Sequence, residues 1–64
     1  MMLIKFKREA DYIYINPKFI VSITPDCEHG YTHIDLRNAT WTIVKGTVEE
    51  VLAKLRVHGI KIID

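Results

Sequence analysis

Apolar and polar positions alternate with period two along most of this chain, and the period changes once, near residue 47. Met2, Ile4 and Phe6 share one face of a strand over Met2–Arg8, with Leu3, Lys5 and Lys7 on the other. After a turn at Glu9–Ala10, Asp11–Ile15 continues as a second strand: Ile13 and Ile15 face one way, Tyr12 and Tyr14 the other. Two such strands with a short link predict an N-terminal hairpin. Asn16–Pro17 ends the second strand, because proline lacks an amide hydrogen and turns Asn16 away from helical geometry. Phe19–Thr24 resumes strand character, with Val21 and Ile23 opposing Ile20 and Ser22. Pro25–Gly30 is a polar turn. Tyr31–Leu36 sets Ile34 and Leu36 against Tyr31, His33 and Asp35. Arg37–Ala39 turns, and Thr40–Val44 is a further strand with Trp41 and Ile43 predicted on the core face.

From Thr47 the spacing becomes helical. Val48, Val51, Leu52 and Leu55 recur on one face, predicting a helix over Thr47–His58 with Val48, Val51 and Leu55 mostly buried. Thr47-Val48-Glu49-Glu50 has the form of a capping box, in which Thr47 and Glu50 exchange hydrogen bonds. Glu50 and Lys54 stand one turn apart on the wet side, and Gly59 is a helix stop. His58 is placed to cap a carbonyl. Residues 60–63 read as a short final strand or an apolar tail. The predicted fold class is α+β: about five antiparallel strands in an open sheet or a partly open barrel, one C-terminal helix, and a single domain over residues 1–64.

Composition adds a reason to expect association. The 64 residues are 48% hydrophobic and 27% charged. So small a domain hides only roughly 60% of its unfolded surface, and without disulfides it often relies on a partner subunit. Strand edges offer unpaired backbone groups. Phe19, Ile20, Ile60, Ile62 and Ile63 are apolar beyond what one core requires. They define a predicted interface in a homo-oligomer, a dimer being the commonest closed form. The single Cys27 excludes an internal disulfide. Met1–Phe6 is broken by Lys5, Lys7 and Arg8 before it reaches secretory length, and no apolar run suffices to span a membrane. A cytoplasmic protein without membrane insertion is expected.

The chemistry-bearing residues are few. Cys27, His29, His33 and Asp35 include metal-ligand and nucleophile types, but they lack paired-ligand spacing, and an ordinary turn cysteine with surface histidines is the simpler reading. The three glycines form no phosphate-binding loop. No cofactor, no metal and no enzymatic activity are expected. Lys5, Lys7, Arg8, Tyr12 and Tyr14 form a face that could hold phosphates and stack bases. The net charge of +1 makes nucleic acid the less favoured partner.

The order of features over about Met2–Leu55 resembles the small flagellar and swarming-motility protein family. The residues that carry the likeness are Ile15-Asn16-Pro17, Ile20-Val21-Ser22-Ile23, Thr32-His33-Ile34-Asp35-Leu36 and Glu49-Glu50-Val51. The chain departs from that family in having Arg37-Asn38-Ala39 where an Asn-Gly hairpin is usual. The resemblance implies a short β-rich cytoplasmic protein supporting motility, and it brings no catalytic residues. The function expected is a non-enzymatic protein-interaction or assembly module, with a small nucleic-acid-binding regulator as the alternative.

Overall fold

The computed structural model describes residues 1–63. Its elements are β1 (Ile4–Lys7), β2 (Tyr12–Ile15), a 3-10 turn (Pro17–Phe19), β3 (Ile20–Pro25), β4 (Tyr31–Leu36), β5 (Thr40–Lys45) and α1 (Val48–Val57). All strand pairings are antiparallel. β1 and β2 form one hairpin sheet, and β3-β4-β5 form a three-stranded meander. The fold is α+β with five strands, not closed into a barrel.

Local chemistry explains the connections. Arg8 closes the β1–β2 turn by donating its amide to the Asp11 carbonyl at 2.8 Å and a forked pair of guanidinium bonds to the Asp11 carboxylate at 2.6 and 2.7 Å. Asn16 caps the 3-10 turn by accepting from the Lys18 amide at 3.0 Å, and Pro17 occupies the first turn position, where no donor is needed. At the helix entrance the capping box forms as expected: the Glu50 amide donates to Thr47 Oγ1 at 3.2 Å, and the Thr47 amide donates to Glu50 Oε1 at 2.8 Å. Thr47 is therefore the cap rather than the first helical residue, and His58 is the cap at the other end. His58 Nδ1 lies 2.9 Å from the Lys54 carbonyl, which it caps when Nδ1 carries the proton. Lys54 does not extend toward Glu50. It crosses to β1, donating to the Lys5 carbonyl at 2.6 Å with its ammonium 5.1 Å from the Phe6 ring.

The hairpin, the meander and the helix share one core. Ile4, Phe6, Ile15, Ile34, Val44, Val51 and Leu55 are buried, and Ile13, Ile20, Ile23, Leu36, Leu52 and Ile60 pack against them. Val51 and Leu55 are buried as expected, whereas Val48, at the first helical position, is only half-buried. Thr32 lies wholly inside and satisfies its hydroxyl by donating to the Gly46 carbonyl at 2.8 Å.

Two strand expectations change, and of the two readings of residues 60–63 the apolar tail holds. In β5 the phase is opposite to the one predicted: Thr42 and Val44 face the core, while Trp41 is 61% exposed. The register decides this. Thr42 stands opposite the buried Ile34, and Val44 opposite the buried Thr32, so Trp41 falls beside Asp35 on the outer face. In β3 a bulge at Val21 interrupts the pairing between Ile20↔Leu36 and Ser22↔Asp35. The extra residue lets Ile20 and Ile23, three apart, both pack on the core, which strict alternation forbids. Finally, residues 60–63 form no strand. Gly59, at φ +83°, closes α1 with bonds from the Gly59 amide to the Arg56 carbonyl at 2.9 Å and from the Ile60 amide to the Leu55 carbonyl at 3.0 Å. This double closure spends the Ile60 amide on the helix end and folds the Ile60 side chain onto the core.

Candidate interaction surface

Two outward faces carry the exposed aromatic residues, and each is built by strand register. On the hairpin, Lys5 pairs with Tyr14 and Lys7 with Tyr12. Inward positions Ile4, Phe6 and Ile15 are buried, so alternation turns Lys5, Lys7, Tyr12 and Tyr14 outward together. The Lys5 and Lys7 ammonium groups lie 4.2 and 4.8 Å from the centre of the Tyr12 ring. Arg8 does not join this face as a free cation. Its guanidinium is engaged by Asp11, and its NH1 group lies 3.4 Å from Thr42 Oγ1. The same bonding moves both partners' titration: hydrogen bonding holds the Asp11 carboxyl below its ordinary range and raises Arg8.

The second face is the outer side of β3-β4-β5. Ser22, Asp35 and Trp41 stand in one row across the three strands, and Thr24, His33 and Ile43 in the next. Tyr31 and Lys45 pair at the far end. The first two rows are tied together. Ser22 Oγ donates to Asp35 Oδ2 at 2.7 Å, and His33 Nε2 lies 3.0 Å from Asp35 Oδ1. The imidazole stacks on the Trp41 indole, with ring centres 5.1 Å apart and planes 20° apart. The Ser22 hydrogen bond first, and His33 second, hold the Asp35 carboxyl below the ordinary carboxylate range. At the other end, burial first, and then the Glu9 and Glu28 carboxylates, raise the Tyr31 phenol, so it remains a hydrogen-bond donor.

This constellation contains serine, histidine and aspartate, but Asp35 is its hub. A nucleophilic triad needs histidine between the other two, as the base that accepts the hydroxyl proton. Here the Ser22 hydroxyl is directed to the carboxylate. The arrangement places the indole at the surface, stacked on an imidazole that is hydrogen-bonded to Asp35.

The remaining sequence candidates are dispersed. Cys27 is exposed in the loop before β4, and His29 lies in the same loop. Only His33 and Asp35 of that set meet, and among the described residues no three His, Cys, Asp or Glu side chains converge as a metal-holding group. Phe19 is half-exposed with the Arg37 guanidinium 5.6 Å from its ring centre. It borders a cleft of about 460 Å³, with Ile13, Tyr14, Leu36 and Thr40 among its other walls. Of the other residues predicted for an interface, Ile20 and Ile60 pack on their own core, Ile62 is half-buried, and Ile63 is exposed. Alternation along β5 places the Trp41 indole in the core, so periodicity alone does not reveal this face. The signal that finds it is the three-residue turn at Arg37–Ala39, which sets β5 opposite β4 with Trp41 beside Asp35.

No family model, curated protein or solved structure matches this chain. Among the described residues, no helix is long and apolar enough to cross a membrane.

Proposed function

We propose that this protein is a non-enzymatic interaction module that docks another protein surface on the outer face of β3-β4-β5. The observation that carries the reading is Trp41. A large aromatic side chain 61% exposed on a strand is stacked on His33, with the Asp35 and Ser22 bonds behind it. Tryptophan dominates interface energetics because it buries a large area with few rotors to immobilise, and pre-orientation lowers that cost further. Ile43, two residues along the same strand, adds half-buried apolar surface on the same face. The resemblance to motility proteins makes a cytoplasmic assembly supporting motility the setting proposed for this docking.

Site-specific photo-crosslinking in cells tests the reading. A photoreactive residue at Ile43 is expected to give discrete protein adducts that Trp41→Ala abolishes, while the same probe at the exposed helical Ala53 gives none. Equal labelling from both positions, or adducts indifferent to Trp41→Ala, would refute it.

The hairpin face favours a second reading. Lys5, Lys7, Tyr12 and Tyr14 gather on one side, the composition of a platform for single-stranded nucleic acid. The cation–ring contacts occupy both lysines with Tyr12, which ranks this reading second. A salt-dependent anisotropy change on a labelled oligonucleotide, lost in Lys5→Glu with Lys7→Glu, would promote it above docking.

A further inference from the structure

The hairpin keeps one open edge. β1 lies against β5, with Arg8 NH1 3.4 Å from Thr42 Oγ1, and among the described residues no strand pairs with the outer side of β2. The hydrogen-bond phase decides which groups that edge presents. The Arg8 amide donates to the Asp11 carbonyl, and bonded and non-bonded pairs alternate along an antiparallel ladder. Phe6↔Ile13 and Ile4↔Ile15 are therefore the bonded pairs, and the amides and carbonyls of Tyr12 and Tyr14 point away from β1. The Asn16 carbonyl continues this phase, and it is taken by the Phe19 amide at 2.9 Å.

The cleft of about 460 Å³ beside Phe19 runs along this edge. Ile13, Tyr14 and Ile15 are consecutive, with side chains on alternate faces of the hairpin; all three line the cleft, and no residue of β1 does. Ile13 and Leu36, half-buried and packed on the core, give it an apolar floor. Tyr14 and Phe19, each about half exposed, stand among its walls. Arg37 is the one lining residue charged at neutral pH, since no aspartate, glutamate or lysine lines the cleft. Its guanidinium lies 5.6 Å from the Phe19 ring centre and forms no ion pair among the described residues.

We propose that this cleft binds an extended peptide segment of a partner protein, added as a strand beside β2, with alternate apolar side chains and a carboxylate for Arg37. One residue of the segment exchanges two main-chain hydrogen bonds with Tyr14. The residues on either side of it turn their side chains onto Ile13 and Leu36, because alternate positions of a strand share a face. The carboxylate accepts a forked pair of bonds from the Arg37 guanidinium. Main-chain pairing supplies the affinity, and the apolar floor and the single cation supply the selectivity. The volume lies within the roughly 300–1,000 Å³ of ligand-binding clefts. Trp41 is not among the walls, so this site is independent of docking on the outer face of β3-β4-β5.

The probes are fluorescently labelled heptapeptides that alternate valine with threonine and carry one glutamate, moved through every position, titrated with the protein by anisotropy. At least one position should give saturable binding, and amide resonances of Ile13, Tyr14, Ile15 and Arg37 should shift with it. Arg37→Glu should weaken that peptide at least about tenfold, and replacing its glutamate by lysine should restore binding to the variant, which also shows that the variant folds. N-methylation along the bound segment should abolish binding at alternate amides only, because every second N–H faces β2. No binding by any peptide of the set up to about 1 mM protein overturns the proposal. So does binding indifferent to Arg37→Glu, N-methyl effects without a period of two, or shifts confined to the Trp41 face. Equal affinity for free isovalerate assigns the cleft to a small carboxylate, and peptide binding that falls as the wild type self-associates in sedimentation assigns the edge to a second copy; either result overturns the peptide as occupant.

Discussion

Replacing Ala39 by glycine should stabilise this protein, and replacing Ala53 by glycine should destabilise it, although the chemical change is the same. Ala39 sits in the β4–β5 turn at φ +58°, next to Asn38 at +66°. For an L-residue with a Cβ, the left-handed region costs about 1–2 kcal/mol. Asparagine tolerates it through its short polar side chain, and alanine has no such relief. Glycine removes the steric cost but enlarges the unfolded ensemble, an opposing effect of about 0.4–1 kcal/mol. The balance at Ala39 is a gain of about 0.5–1 kcal/mol. For a domain of this size, each kcal/mol moves Tm by roughly 4–8 °C, so Ala39→Gly should raise it by roughly 2–8 °C. Ala53 is an exposed interior position of α1. There glycine forfeits helix propensity worth about 1 kcal/mol with no strain to relieve, and Tm should fall by roughly 4–8 °C. Thermal melts followed by far-ultraviolet circular dichroism measure both variants. A lowered or unchanged Tm for Ala39→Gly would refute the strain assigned to the turn, and with it the reason this register is held by a residue unsuited to its conformation.

Burial separates two leucines one turn apart. Leu55 is buried and Leu52 half-buried, so Leu55→Ala should cost about 3 kcal/mol and Leu52→Ala about half that in urea unfolding; equal losses would contradict the helix's placement. Because Asp35 has a folded-state pKa below its unfolded value, its contribution is present above the unfolded pKa and is lost as pH falls through the folded one. Asp35→Asn should therefore flatten the decline of stability below about pH 4, measured as the urea midpoint against pH; a decline as steep as the wild type's would argue against the Ser22 and His33 bonds.

Elements whose residues talk mainly to near neighbours were legible in the chain. Thr47, Glu50, His58 and Gly59 specify the helix ends through bonds spanning three to five residues, and Val51 and Leu55 specify its buried side by spacing alone. Ile4, Phe6, Ile13 and Ile15 against Lys5, Lys7, Tyr12 and Tyr14 leave one consistent phase for the hairpin, so that face was readable too. The second face was not. Along β5 both phases offer apolar residues, Trp41 and Ile43 on one, Val44 on the other, and side-chain size favoured the wrong one. The choice belongs to pairing with β4, where Ile34 and Thr32 draw Thr42 and Val44 inward and send Trp41 outward beside Asp35.

The sequence by itself determined the α+β class, the strand and helix segments, the capping of α1 and the Lys–Tyr face of the hairpin, because each follows from periodicity or from contacts a few residues apart. Only the tertiary structure decided that the strands remain two open sheets, that Val21 bulges so that Ile20 and Ile23 share the core, and that Ile60 folds back without forming a strand. It alone also joined Ser22, His33, Asp35 and Trp41, residues from three strands up to 19 positions apart, into one fixed surface. Those outcomes depend on register between strands. A shift of one residue exchanges the two faces of a strand, and that choice is settled by which side chains the assembled core can accept.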